Sequence, residues 1–312
     1  MNKVTVVGSG IVGLTTAICL QEKGFQVRIV AREPHLNTLS VKVGAIWFPF
    51  EVHPAEKAHR WASLAYQRYL MERDHDCGVS FIPFISAYTA ESDNSWINQL
   101  PAGTVRELKP EELPKAIHFA HEAIVPLAEP HKYLPYLFHR FIENGGSFEE
   151  KAIENLQELA QLNELVINCT GLGAKALCQD DDLHPMRGQI LRCEKLNVPA
   201  IVNSTKRGSL SYCIVRSDDC IIGGTDYEND WNSTINPSDT QMILDRFNTF
   251  GFDQQTPVII EEIVGLRPRR SAVRFEFDTH YTNVFHNYGH GGAGFTVAWG
   301  CAEELSEIVS KS

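Results

Sequence analysis

The chain has 312 residues, 43% of them apolar and 21% charged, enough to bury a sizeable core in one large lobe or two interleaved ones. Against 39 Asp and Glu there are 28 Lys and Arg, a net charge of −11 with no basic run to track a phosphate backbone, so neither nucleic acid nor an anionic membrane is an expected partner. The eight cysteines show no C-x-x-C pair or metal-ligand spacing, and no apolar stretch approaches the roughly 18 to 20 residues of a membrane span, which makes the expectation a cytoplasmic, metal-free protein with reduced thiols.

Residues 4–7 form a β-branched run that ends in Gly8-Ser9-Gly10-Ile11-Val12-Gly13. Residues 14–23 then read as a helix closed by Gly24, and residues 26–31 as a second strand. This is a βαβ unit, whose first strand is expected near the centre of a parallel sheet. Helical periodicity with aromatic anchors at Trp61, Tyr66 and Tyr69 covers 54–73, strands are expected at 81–88 and 117–125, and an amphipathic helix over 130–144 stops at Gly145-Gly146. The apolar strand at 165–168 runs into the small-residue loop Cys169-Thr170-Gly171-Leu172-Gly173, as a buried parallel strand does, so the chain is expected to return to its first domain there. A β-rich stretch over 189–224, a helix over 238–250 and a closing segment from His286 to Glu304 follow. The expected architecture is α/β: a Rossmann-like dinucleotide domain of residues 1–50, 151–188 and 265–312, interleaved with a substrate domain of 51–150 and 189–264 on a mostly antiparallel sheet.

The glycines of the first turn have separate physical roles. Gly8 makes the tight turn, Gly10 lets backbone approach a pyrophosphate, and Gly13 allows helix-on-strand packing, while the helix N-terminus supplies N–H groups and positive potential. Twenty residues beyond Gly13 stands Glu33, where an acidic side chain can bind ribose hydroxyls. Glycines alone leave FAD and NAD both open.

With those residues placed, the rest of the chain resembles the D-amino-acid oxidase and D-aspartate oxidase family over nearly its whole length. Ala31-Arg32-Glu33 resembles the adenosine-binding corner, and Gly44-Ala45-Ile46-Trp47-Phe48-Pro49-Phe50 the segment whose backbone lies along the flavin. Similar matches are Val166 to Gly171, Arg187-Gly188-Gln189-Ile190, Tyr212 to Arg216 with Gly223-Gly224-Thr225, Gly265-Leu266-Arg267-Pro268, and His286 to Thr296. The resemblance implies non-covalent FAD held by Gly8, Gly10, Ile11, Val12, Gly13, Arg32, Glu33, Ser40, Gly44, Ala45, Trp47, Ile153, Thr170, Gly171, Gly291, Gly292, Gly294, Phe295 and Thr296. It further implies that Arg267 grips the substrate α-carboxylate, that Tyr212 adds a hydroxyl to it, and that the Gly292 carbonyl receives the amino group, with hydride passing from Cα to flavin N5. The Thr296 side chain or backbone would face the flavin's pyrimidine oxygens. The implied partners are a D-amino acid and molecular oxygen, and a homo-oligomer stays open. An oxidase for glycine or an N-methylated amino acid is the enzymatic rival, and a non-catalytic flavin-binding protein the rival of another class.

Some residues read more simply from the sequence itself. His286 and His290 lie four apart but between glycines and without a third ligand, which argues against a metal site. Cys169 is expected as a buried structural thiol, and Asp180-Asp181-Asp182 as a solvated loop. Where mammalian members of the family carry a tyrosine-bearing lid, this chain has the shorter Lys206-Arg207-Gly208-Ser209-Leu210-Ser211. Lys206, Arg207, Arg216 and Arg269 flank the substrate segments, and a cation reaching the pocket from among them would favour D-aspartate or D-glutamate.

Overall fold

The structure, a computed structural model, describes residues 3–49, 51–161, 164–206, 208–252 and 255–311. In chain order the elements are β1 (Lys3–Val7), α1 (Ile11–Glu22), β2 (Gln26–Ala31), α2 (Ala55–Glu72), β3 (Val79–Ala87), β4 (Val105–Glu107), β5 (Ala120–Ala128), α3 (Pro130–Glu143) and β6 (Ser147–Glu150). There follow α4 (Leu156–Ala160), β7 (Leu165–Asn168), α5 (Ala174–Cys178), β8 (His184–Glu194), β9 (Ala200–Asn203), β10 (Ser211–Val215) and β11 (Asp219–Gly223). The last are β12 (Tyr227–Glu228), α6 (Pro237–Asn248), β13 (Ile259–Phe277), β14 (Val284–His290) and α7 (Gly294–Ser310).

Two compact units result, the first made of residues 1–79, 128–185 and 267–312, the second of 80–127 and 186–266. In the first unit the strand order is β6-β2-β1-β7-β14, all parallel, with the second half of β13 antiparallel on β14. β1 is therefore internal, and its side chains from Val4 to Val7 are buried on both faces, the pattern of a parallel sheet covered by helices. Nearly every residue of α1 is buried, because sheet, α3 and α7 all surround it.

The unit boundary departs from the sequence-drawn one, since 51–79 and 128–150 pack with the dinucleotide domain. The cause is α2, which lies along α7: Trp61 Nε1 donates to Glu304 at 2.8 Å, and the backbones approach so closely that a Cβ on Gly300 would sit 2.2 Å from the Trp61 carbonyl oxygen. Arg68 of α2 likewise pairs with Glu303. On the other side α3 packs against α1, with Gln21 donating to the Phe141 carbonyl at 2.9 Å.

The second unit has the strand order β4-β5-β3-β9-β10-β11-β8, antiparallel except for β3 on β9 among the registers described, and the first half of β13 follows β8. Its core gathers Leu191, Cys193, Cys213, Cys220 and Ile222 from the sheet with Ile243, Phe247 and Phe250 from α6 and its C-terminal end. At the α6 N-terminus Asn236 caps Ser238 N–H at 3.0 Å, followed by Pro237 in the first helical position.

Candidate active site

The glycine turn is set by close approach. Gly8 has φ +115, and a Cβ there would fall 2.4 Å from the Cys169 carbonyl oxygen; a Cβ on Gly13 would fall 2.0 Å from the Gly8 carbonyl oxygen. No larger residue fits either position without moving backbone. Gly10 is the N-cap of α1, and the Ser40 hydroxyl accepts from Ile11 N–H at 3.0 Å, 2.9 Å from where a Gly10 Cβ would lie. Ser40 thus stands at a helix N-terminus, the kind of end that favours a diphosphate. Ser9, which the motif logic did not single out, donates to the Glu33 carbonyl at 2.7 Å and so fixes the acidic corner. The Glu33 carboxylate is part-exposed, with the mostly exposed Arg32 side chain 3.9 Å away.

A second helix N-terminus meets the first, since a Cβ on Gly294, the first residue of α7, would lie 3.6 Å from the Ile11 side chain. Two positive helix ends then face one place, which suits a cofactor carrying both a diphosphate and an electron-accepting ring. Thr296 is buried, and its hydroxyl joins Phe48 by accepting from Phe48 N–H at 3.1 Å and donating to the Phe48 carbonyl at 3.0 Å. Those bonds tie the 44–49 segment to α7 and leave the Thr296 backbone, not its side chain, to point out of the helix end. Trp47 is a core anchor whose indole N–H donates to the Ala62 carbonyl at 2.9 Å, which fixes its segment. Phe50 lies outside the described residues.

The remaining first-unit residues converge at the strand ends. Gly291 N–H donates to the Pro268 carbonyl at 2.8 Å, and Pro268 Cγ lies 3.9 Å from the Cβ position of Gly171, so the glycine loops at 171 and 291 both border the residue after Arg267. Gly292 is exposed within its loop, and Arg267 is half-buried. Ile153 contributes to an apolar cluster with Val7, Leu156 and Val166. Tyr212 belongs to the second unit, on β10 opposite Gly223.

A buried polar chain supports this corner. Asn168 Oδ1 accepts from the Thr170 hydroxyl at 2.8 Å and from Thr170 N–H at 3.2 Å, and its amide nitrogen faces His286 Nδ1 at 3.1 Å. Because the backbone N–H can only donate, the amide orientation is fixed, and His286 must accept at Nδ1 and donate from Nε2 to Asp278 at 2.9 Å. Burial lowers the His286 pKa, which keeps the ring neutral in that role. His290 bonds elsewhere, its Nε2 lying 3.6 Å from Cys301 Sγ, and burial pushes its pKa down to about 4. The two histidines therefore have unrelated partners. Cys169 is buried, with its thiol pushed up to about 12, as a structural thiol should be.

Two sequence expectations are corrected. Asp180 is buried, not solvated: it accepts from Tyr288 Oη at 2.7 Å and Arg270 Nε at 3.0 Å, bonds that outweigh burial and hold its pKa low, while Asp182 receives the Ser271 hydroxyl. This loop anchors β13. Of the four cations expected to flank the substrate, two are spent within the protein. Arg216 is buried in a two-pronged pair with Asp219, at 2.5 and 2.6 Å, and Arg269 pairs with Glu51 at 3.4 Å. Lys206 is exposed, and Arg207 lies outside the described residues.

A glycine-rich strand-to-helix cradle, a second helix end and a half-buried arginine on β13 fit a dinucleotide-dependent oxidoreductase of the two-domain kind. Residues 3–308 match the family model described as FAD dependent oxidoreductase, and the chain belongs to that family. It is 34% identical over 312 residues to a D-amino-acid oxidase of Rubrobacter xylanophilus, covering 98% of this chain and 95% of that one. To a D-amino-acid oxidase of Streptomyces coelicolor it is 33% identical over 318 residues, covering 99% and 97%. Its fold is shared with the L-proline dehydrogenase of P. horikoshii, at a TM-score of 0.82 over 99% of this chain and 93% of that one, with 16% identity. FAD, not NAD, is the cofactor, and the cradle fits it: the N-termini of α1 and α7 meet at one place, and the missing Cβ of Gly10 leaves room for the Ser40 hydroxyl at the α1 end.

Proposed function

We propose that the chain oxidises D-amino acids, converting substrate, oxygen and water to the 2-oxo acid, ammonia and hydrogen peroxide. The observation that carries this reading is the 34% identity to a D-amino-acid oxidase over almost the whole of both chains. Bound FAD supplies the two-electron acceptor for the Cα–H bond. What the protein adds is pose. Arg267 grips the α-carboxylate through a planar fork, Tyr212 donates its hydroxyl to the same group, and the Gly292 carbonyl accepts from the amino group. The carboxylate, the amino group and a Cα–H directed at the ring are three points on one carbon, and together they select its configuration. The cofactor would be held by the α1 cradle with Ser40 and Glu33, by the backbone at Gly44-Ala45 and Thr170-Gly171, and by the N–H groups at the start of α7, whose positive end favours negative charge on the ring. All eight cysteines are free, which suits a reducing compartment, and we place the enzyme in the cytoplasm. Among the described residues no helix is long and apolar enough to cross a membrane.

The test is peroxide release from a panel of D-amino acids, L-amino acids, glycine and sarcosine. Turnover is expected on D-amino acids; turnover confined to glycine or sarcosine would refute the assignment. Arg267→Ala should lower kcat/KM by about 1.5 to 4 decades while FAD content is kept, the loss typical of a truncated charge pair.

A further inference from the structure

Tyr212 lies directly opposite Gly223 in the β10–β11 register, and its ring folds across onto the neighbouring strand. A Cβ built on Gly223 would fall 2.2 Å from the ring Cζ, 2.4 Å from the hydroxyl oxygen and 2.7 Å from Cε2. The next residue is glycine as well, and a Cβ there would come 3.2 Å from the same hydroxyl and 3.0 Å from the Gln189 carbonyl oxygen. The phenol therefore occupies the space of a side chain that β11 lacks.

A second observation concerns the backbone that carries this pair. Arg246, half-buried on α6, donates from Nη1 to the carbonyls of Leu210 at 3.1 Å and Gly224 at 3.3 Å, and from Nη2 to the carbonyl of Gly208 at 2.7 Å. Leu210 precedes Tyr212 by two residues, and Gly224 follows Gly223. One guanidinium thus ties together the strand bearing the ring and the strand bearing its seat. A planar fork suits these three spread carbonyls best; a lysine ammonium, a compact charge on one nitrogen, can reach only some of them.

We propose that Gly223 and Arg246 are positioning residues for the Tyr212 hydroxyl: the glycine provides the seat for the ring, and the guanidinium fixes the two backbone segments that set its height. In place of a tyrosine-bearing lid, the short 206–211 connection is held at Gly208 and Leu210, so Tyr212 is placed before substrate arrives. The inference rests on the proposed contact between Tyr212 and the substrate carboxylate. An aromatic ring over a glycine is also a packing device, and a pure packing role predicts a different outcome below.

The experiment is a double-mutant cycle on the FAD-loaded enzyme, using Y212F, R246M and the double variant, with R246K and G223A alongside. Steady-state kinetics on D-alanine are joined by the dissociation constant of benzoate, a carboxylate with no Cα–H to oxidise, measured by calorimetry. Y212F and R246M should each raise KM and the benzoate Kd by about 10- to 100-fold, the range for a lost hydrogen bond to a charged group, with kcat little changed. The double variant should be no worse than Y212F by more than about twofold, because Arg246 acts through the hydroxyl already removed. R246K should recover part of the loss, and G223A should behave like Y212F because its Cβ evicts the ring. Losses that multiply in the double variant, or an R246M benzoate Kd equal to wild type, would overturn the positioning role while leaving Tyr212 in place. A Y212F enzyme with wild-type KM and benzoate Kd would overturn the carboxylate contact itself, and this inference with it.

Discussion

Asn168→Ala would cut the buried chain that runs from Asp278 through His286 to Thr170. The wild-type amide is fully buried and makes four bonds, to Thr170 N–H, Thr170 Oγ1, His286 Nδ1 and Cys178 Sγ. Truncation orphans the Thr170 N–H and the His286 ring nitrogen, each at about 1 to 3 kcal/mol, so with partial relaxation the loss is about 2 to 5 kcal/mol. At roughly 2 to 4 °C per kcal/mol for a chain of this size, the unfolding midpoint should fall by several degrees to well over ten. If Thr170-Gly171 holds FAD as proposed, the FAD Kd should also rise, by about one decade for every 1.4 kcal/mol that falls on that segment. Asn168→Asp separates the two halves of the network. It keeps the acceptor for Thr170 but offers no hydrogen to Nδ1, so its folded state needs a proton on His286 between two carboxylates, and its loss should be larger at pH 9 than at pH 6. Differential scanning calorimetry and FAD titration read both variants. A midpoint within one degree of wild type for Asn168→Ala, with unchanged FAD Kd, would refute this account of the chain.

Gly10→Val places branched carbons where even a Cβ lies 2.9 Å from the Ser40 hydroxyl, so FAD absorbance should be lost on desalting while the apo chain stays folded by circular dichroism; retained flavin would contradict the cradle. Stability should fall in acid in two stages. His290 is buried neutral with its pKa lowered to about 4, so the unfolded chain takes up protons first, and about 3 kcal/mol should be lost between about pH 6.5 and 4; His286 shifts in the same direction, and a flat midpoint over that window would refute both assignments. Asp180 and Asp278 have lowered pKa values, so the stability they contribute above the ordinary aspartate range should be lost as pH falls below it, visible as a second, steeper decline. With Arg216 bound to Asp219 and Arg269 to Glu51, D-alanine should exceed D-aspartate in kcat/KM, with a ratio insensitive to salt; a D-aspartate preference that collapses at high ionic strength would show that an unspent cation reaches the substrate.

Much of the fold was legible because its elements carry strong periodic or chemical marks. The strand at 165–168 and the helices at 54–73 and 130–144 were each placed to within a residue or two, since apolar period and glycine stops agreed there. The short strand Ser147–Glu150 was not legible: its burial pattern is almost wholly exposed, and it exists only as the edge partner of β2. The domain boundary failed for a related reason. Whether α2 belongs to one unit or the other is decided by a long-range packing event, the seating of Trp61 on Gly300, and neither residue announces the other in sequence.

The same distinction runs through the site. Glycines advertise themselves, because a missing Cβ is a property of the residue, and Gly8 and Gly13 sit where close backbone approach excludes any larger residue. Charges do not, because what a charge does depends on what already satisfies it. Arg216 stands three residues from Asp219 across a tight β-turn, and that spacing in a hairpin makes a local ion pair as reasonable as a substrate contact. The Asp180 run misled in the opposite direction, since three consecutive acids look solvated until Tyr288 and Arg270, about a hundred residues on, are brought to the first of them. Arg246 gave no signal at all, being a helical arginine in a polar stretch whose partners are backbone carbonyls. A side chain that recognises backbone leaves no complementary residue in the sequence, so clamps of this kind emerge only once the chain is folded.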